Sequence, residues 1–138
     1  MAKSREHYDE LEARSPEERE TSLFQALPAQ IAYAKENASY FRRLLKDVDA
    51  DAVSTREALT GLAVTRKGDL IEMQKEAPPL GGFADVPPGK IRNIYQSPGP
   101  IHEPDGHGDD YWRMARAFFA GGFREGDVVH NTFSYHFT

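Results

Sequence analysis

Gln96-Ser97-Pro98-Gly99-Pro100-Ile101-His102-Glu103-Pro104-Asp105-Gly106 is the stretch on which the reading of this 138-residue chain turns. A short apolar run, Ile91 to Tyr95, leads into it, and a helical pattern from about Asp109 to Ala120 leaves it. Strand, Ser/Gly/Pro loop, helix is an order in which many folds present backbone N–H groups to a phosphate. Ser97, Gly99, Pro100, His102 and Glu103 are therefore the candidate loop residues.

Downstream, Tyr111, Trp112, Met114, Ala115, Phe118 and Phe119 form a broad apolar face, expected to be core. Gly121-Gly122 ends that helix, because glycine tolerates the left-handed conformation common after a helix. Arg124-Glu125-Gly126-Asp127 reads as a turn, and Val128 to Phe133 as a second strand. Two strands joined by a helix predict a βαβ crossover and a parallel pair. Two strands make a poor isolated sheet. The chain then stops at an aromatic stretch with no closing element, which reads as the front of a larger protein. Further strands are expected from later sequence or a partner, and so is homo-oligomer formation through the unfinished sheet edges and apolar face.

Upstream the chain reads as helical scaffold. Tyr8 and Leu11 anchor a polar arm. Ser15-Pro16-Glu17-Glu18 is a capping box with proline at the first helical position, and its acidic pair suits the positive helix end. Leu23, Phe24, Leu27, Ile31, Ala34 and Ala38 recur at three- and four-residue steps, giving one apolar face. Pro28 is expected to kink or restart this helix. Tyr40, Phe41, Leu44 and Leu45 continue in a shorter helix. Ser54-Thr55-Arg56-Glu57 reads as a second capping box, and Thr65 as the cap of a helix carrying Leu70, Ile71 and Met73. Three segments result: a helical region 1–77, a Pro/Gly-rich connector 78–89, and a strand–loop–helix–strand unit 90–138. The fold class is α/β.

The net charge of −5 argues against a general nucleic-acid or anionic-membrane binder. Mean hydropathy is −0.64, and no apolar run approaches the roughly 20 residues of a membrane span. No apolar signal core follows Met1. A cytoplasmic location fits these features. The absence of cysteine excludes disulfides, thiolate chemistry and Cys-based zinc sites. His102, Glu103, Asp105, His107, Asp109 and Asp110 are metal-capable, but their spacing matches no ligand motif. They read as a polar loop leading to a helix capped by Asp109 or Asp110. Arg66-Lys67 is most simply a solvated first turn, with phosphate or coenzyme A contact as the alternative.

Several blocks, in order, resemble the front of phenylacetate–coenzyme A ligase-like members of the adenylate-forming synthetases. They are Tyr8-Asp9-x-Leu11-Glu12, Ala34 to Phe41, Leu62-Ala63-Val64-Thr65-Arg66-Lys67-Gly68-Asp69-Leu70, and Ala120-Gly121-Gly122-Phe123-Arg124-Glu125-Gly126-Asp127-Val128-Val129. The ending Phe133-Ser134-Tyr135-His136-Phe137-Thr138 is similar to the family's aromatic "YgyglFT".

The resemblance implies ATP-dependent activation of an organic carboxylate to an acyl-adenylate, then displacement of AMP by coenzyme A, with Mg²⁺ accompanying ATP. It implies an acyl pocket at Tyr135, His136 and Phe137, and it puts the ribose-binding acid, hinge and catalytic lysine after residue 138. The missing C-terminal part is therefore an expected partner, and the chain alone is expected to be inactive. The family's loop S-S-G-T-T-G-K-P corresponds to Ser97-Pro98-Gly99-Pro100-Ile101-His102-Glu103-Pro104. Ser97, Gly99 and Pro104 match. Both threonine hydroxyls are lost, and Glu103 stands where the family has lysine. Pro98 and Pro100 remove two N–H donors, so the loop argues against ATP binding in the usual mode. The alternative is a degenerate, non-catalytic ligand-binding or assembly module.

Overall fold

The computed structural model describes residues 6–132. The chain is helix-rich with one small sheet. Its order is a 3-10 turn Glu10–Ala13, α1 Pro16–Asn37, α2 Ser39–Leu44, α3 Arg56–Thr60, a 3-10 turn Lys67–Asp69, α4 Leu70–Glu76, a 3-10 turn Pro88–Lys90, β1 Asn93–Gln96, β2 His102–Asp105 and α5 Ala115–Ala120.

The capping box forms as read. Ser15 Oγ accepts from Glu18 N–H at 3.1 Å, and Glu18 Oε2 accepts from Ser15 N–H at 2.8 Å. Two of the helix's orphan donors are satisfied this way. The helix then runs unbroken through Pro28, so the expected restart does not occur. Ile31 on its inner face packs with Leu45 and Val53, and Leu27, Phe41, Leu44 and Leu62 close around them. Burying each such side chain contributes about 1.5–3 kcal/mol. Leu23, expected on this face, is exposed instead.

Two caps differ from the pattern. Thr55, one residue later than the predicted box, caps α3 by accepting from Ala58 N–H at 3.2 Å. Thr65 does not cap α4. Its hydroxyl lies 3.0 Å from Tyr40 Oη, tying the approach to α4 back onto α2. The connector is tied to α2 as well: Tyr40 N–H donates to Gly82 C=O at 3.0 Å, and the Phe83 ring stacks on Tyr40 at 4.0 Å. Leu80 between these contacts is buried.

The strand–loop–helix–strand unit takes a different form from the one expected. β1 pairs with β2 antiparallel, with Asn93 opposite Asp105 and Gln96 opposite His102. The quoted stretch is thus a hairpin, closed by Ser97 N–H donating to Ile101 C=O at 2.9 Å. A parallel pair needs a long crossover, whereas five loop residues join antiparallel strands directly. Residues 128–132, expected to be a strand, carry none, and Val128 is fully exposed. β1 is exposed at every position, and the hairpin's buried apolar residue is Ile101.

The helix after the loop is shorter than read. Asp110 and Arg113 have φ near +50°, which a helix does not admit, and α5 begins at Ala115. Asp110 still acts as its cap in part, accepting from Ala115 N–H at 2.9 Å. The end follows the glycine reading closely. Phe123 N–H donates to Phe118 C=O and Gly122 N–H to Phe119 C=O, both at 3.0 Å, with Gly122 at φ 96°. These bonds make a Schellman motif, and the Phe118 and Phe123 rings supply its apolar contact at 5.3 Å. Trp112 and Phe118, expected as core, are exposed. Phe119 is half-buried, with Tyr8 of the N-terminal arm edge-on to it at 5.8 Å.

Candidate functional site

Within Ser97–Glu103, backbone chemistry decides what the loop can do. Pro98 and Pro100 have no N–H. The Ser97 N–H closes the hairpin. The His102 N–H donates to Gln74 Oε1 at 2.8 Å, while Gln74 Nε2 donates back to His102 C=O at 2.8 Å. The buried Gln74 side chain thus pairs with the outer edge of β2 as another strand's peptide would, and it fixes the hairpin on α4. The His102 ring turns the other way, with Nδ1 at 3.2 Å from Pro79 C=O. Four positions of the loop therefore have no backbone donor to offer a ligand.

Side chains partly replace those donors. Ser97 Oγ is buried with no hydrogen-bond partner. Lys67 Nζ reaches across from the turn before α4 to Glu103 Oε1 at 2.9 Å. A lysine ammonium is therefore held beside the Glu103 carboxylate. The antiparallel register puts Tyr95 opposite Glu103 and Ser97 opposite Ile101, so Ser97 and Glu103 present side chains on one face of the hairpin. Of the candidate loop residues, Pro100 lies at the exposed hairpin tip with Gly99, and His102 serves the α4 contact.

A separate cleft of about 380 Å³ lies beside the far end of β2, lined by Phe83, Asp85, Ile91, Pro104, Asp105 and Tyr111. Its carboxylates are already engaged. Asp105 Oδ2 accepts from Asn93 Nδ2 at 2.9 Å, and Asp85 Oδ2 accepts from Tyr33 Oη at 2.6 Å. The Asp85 hydrogen bond and negative charge hold the Tyr33 phenol above its usual pKa. The Ser97–His102 loop does not line this cleft. Among the described residues no three His, Asp or Glu side chains converge as a metal site. Tyr135, His136 and Phe137 lie outside the described residues.

Two residues central to this geometry carry weak sequence signals. Lys67 is read first as half of a solvated basic pair at a helix start, with phosphate or coenzyme A contact only as the alternative. Gln74 has no signal beyond being a polar residue among Leu70, Ile71 and Met73, because its partner is a backbone group with no identity in sequence.

No family model matches the chain. Phenylacetate-coenzyme A ligase of Aromatoleum evansii is 30% identical over 134 residues, spanning 91% of this chain and 29% of that protein. The enzyme of the same name from Thermus thermophilus is 29% identical over 135 residues, with the same coverage of 91% and 29%. The chain thus spans about 29% of the length of these curated relatives. In structure, 2-hydroxyisobutyryl-CoA ligase, solved in the postadenylation state with an acyl-AMP, superposes with a TM-score of 0.69 at 28% identity. That match covers 81% of this chain and 25% of the ligase. Among the described residues no helix is long and apolar enough to cross a membrane.

Proposed function

We infer that this chain, similar to the front of phenylacetate–coenzyme A ligases in sequence and to the front of a coenzyme A ligase in fold, is the opening part of an acyl-CoA ligase-like adenylate-forming protein. One observation carries the reading: sequence likeness along 91% of the chain and backbone likeness along 81% both lead to coenzyme A ligases, over 29% and 25% of their lengths. The whole protein would join an organic carboxylate to AMP. A carboxylate oxygen attacks the α-phosphorus of ATP and pyrophosphate leaves. The thiol of coenzyme A then attacks the acyl carbon, loses its proton, and AMP leaves. Positioning and neutralisation of phosphate charge, by Mg²⁺ and protein cations, supply most of such catalysis. The acids named for the relatives point to a small aromatic or branched substrate.

A second reading rests on the loop itself. With Pro98 and Pro100 in place and the N–H groups of Ser97 and His102 engaged, backbone capture of a polyphosphate is largely removed. That favours a family member that binds a ligand or serves assembly without adenylation.

The two readings separate in one assay. The full reading frame containing residues 1–138 is expressed, and carboxylate-dependent pyrophosphate release from ATP is measured across aromatic and aliphatic acids. Release with a preferred acid supports the ligase reading. No release, together with no ATP binding by calorimetry, leaves the second reading. The 138-residue chain alone is expected to give no turnover.

A further inference from the structure

Lys67, in the turn before α4, and Glu103, on β2, form an ion pair between the helical front and the hairpin. We propose that Lys67 is the phosphate-facing cation of this chain, and that Glu103 and an incoming phosphate chain compete for it. The inference rests on the reading of the Ser97–Glu103 hairpin as the phosphate loop of an adenylate-forming protein.

Three observations support it. Lys67 Nζ sits 2.9 Å from Glu103 Oε1, yet the two side chains remain 66% and 42% exposed, so a solute reaches both. The loop's backbone donors are mostly absent or engaged, so recognition of an anion there has to come from side chains. The Ser97 hydroxyl is buried on the hairpin face that carries Glu103, so the exposed ammonium of Lys67 is the group a solute meets there.

Glu103 sets the threshold. With its carboxylate on Lys67 the pair is neutral, and a phosphate chain must displace one anion to gain the other. An exposed pair of this kind is worth at most about 1 kcal/mol, so the latch is weak and reversible. Removing the Glu103 charge is accordingly expected to tighten phosphate binding by about two- to fivefold. Removing the Lys67 charge is expected to abolish it. Because both side chains are exposed, neither substitution threatens the fold.

The test uses the 138-residue chain and calorimetric titration with tripolyphosphate, ATP and coenzyme A. The proteins are wild type, Glu103→Gln, Lys67→Gln and the double variant, each checked for unchanged thermal unfolding. The expected result is tighter tripolyphosphate binding by Glu103→Gln, loss in Lys67→Gln, and the same loss in the double variant. The same order with ATP assigns the phosphate chain to the nucleotide. The same order with coenzyme A but not ATP assigns it to the coenzyme's phosphates, and either outcome supports the Lys67 site. Binding that is indifferent to both substitutions overturns the competition while leaving the phosphate-loop reading standing. No binding by any variant to any of the three overturns both.

Discussion

The side-chain amide of Gln74 pairs with both backbone groups of His102, accepting from its N–H and donating to its C=O at 2.8 Å each. This contact joins the helical front to the hairpin, and it satisfies both backbone groups of His102. Gln74→Ala strands the N–H and C=O of His102 in a part-buried setting. Each unsatisfied group costs about 1–3 kcal/mol, less where water enters. Urea unfolding is expected to show a loss of about 2 kcal/mol. A loss below about 0.5 kcal/mol, within the range of an ordinary surface change, would show that water replaces the amide freely.

The connector depends on glycine at one position for two separable reasons. Gly82 has φ +79°, and a Cβ there would fall inside contact distance of Ser39 Oγ. Gly126 has φ +91° with nothing within 4 Å of an added Cβ. Gly126→Ala is therefore expected to cost only the backbone penalty, about 1–2 kcal/mol, and Gly82→Ala more than that. Adding Ser39→Ala to Gly82→Ala removes the clash and should bring its cost down to the Gly126→Ala level. Thermal unfolding of the four proteins gives the comparison, and equal costs for the two single glycine variants would remove the steric argument.

What was legible in the sequence was local. Ser15 and Glu18 bond within one turn, and Gly122 answers a backbone demand three residues from the carbonyl it serves. Such features depend on near neighbours, so the residue types declare them. β2 was not legible. His102-Glu103-Pro104-Asp105 has no apolar alternation and includes a proline, which strands admit at edges. Its strand conformation comes from Asn93–Gln96 on one side and Gln74 on the other, both remote in sequence. The same holds for the break before α5. Asp110 and Arg113 adopt left-handed conformations that neither residue type announces. Periodicity alone misjudged the pairing, since it predicted a parallel pair where β1 and β2 are antiparallel.

The N-terminal arm is docked by charge. Asp9 Oδ2 accepts from Arg116 Nη2 at 2.6 Å, and that bond holds the Asp9 carboxyl below its usual pKa while holding the Arg116 guanidinium above its own. A carboxyl whose folded pKa is lowered contributes stability above its unfolded value, and the contribution is lost as pH falls through the folded value. Arm docking is therefore expected to be complete near neutrality and to weaken below roughly pH 4. The Tyr8 ring, edge-on to Phe119, reports it through its NMR shifts. Asp9→Asn should show the undocked Tyr8 signature at all pH values. An unchanged acid transition in that variant would assign it to another carboxyl.

Self-association is expected to run through β1. Among the described residues β1 pairs only with β2. The outer edge of β2 is occupied at His102 by Gln74, and the strand carries Glu103, Pro104 and Asp105, all features that discourage edge pairing. β1 has no such protection. Asn93, Ile94, Tyr95 and Gln96 are uncharged and exposed. Exposed Tyr111, Trp112 and Phe118 add apolar surface of a kind that seeks cover. Sedimentation of the 138-residue chain should show a concentration-dependent rise in mass, and Ile94→Lys, which adds a charge to the edge, should shift the rise to higher concentration. If Ile94→Lys leaves the rise in place while Trp112→Ser abolishes it, the contact lies on the apolar surface before α5 and β1 is not the interface. A monomer at every concentration would remove both.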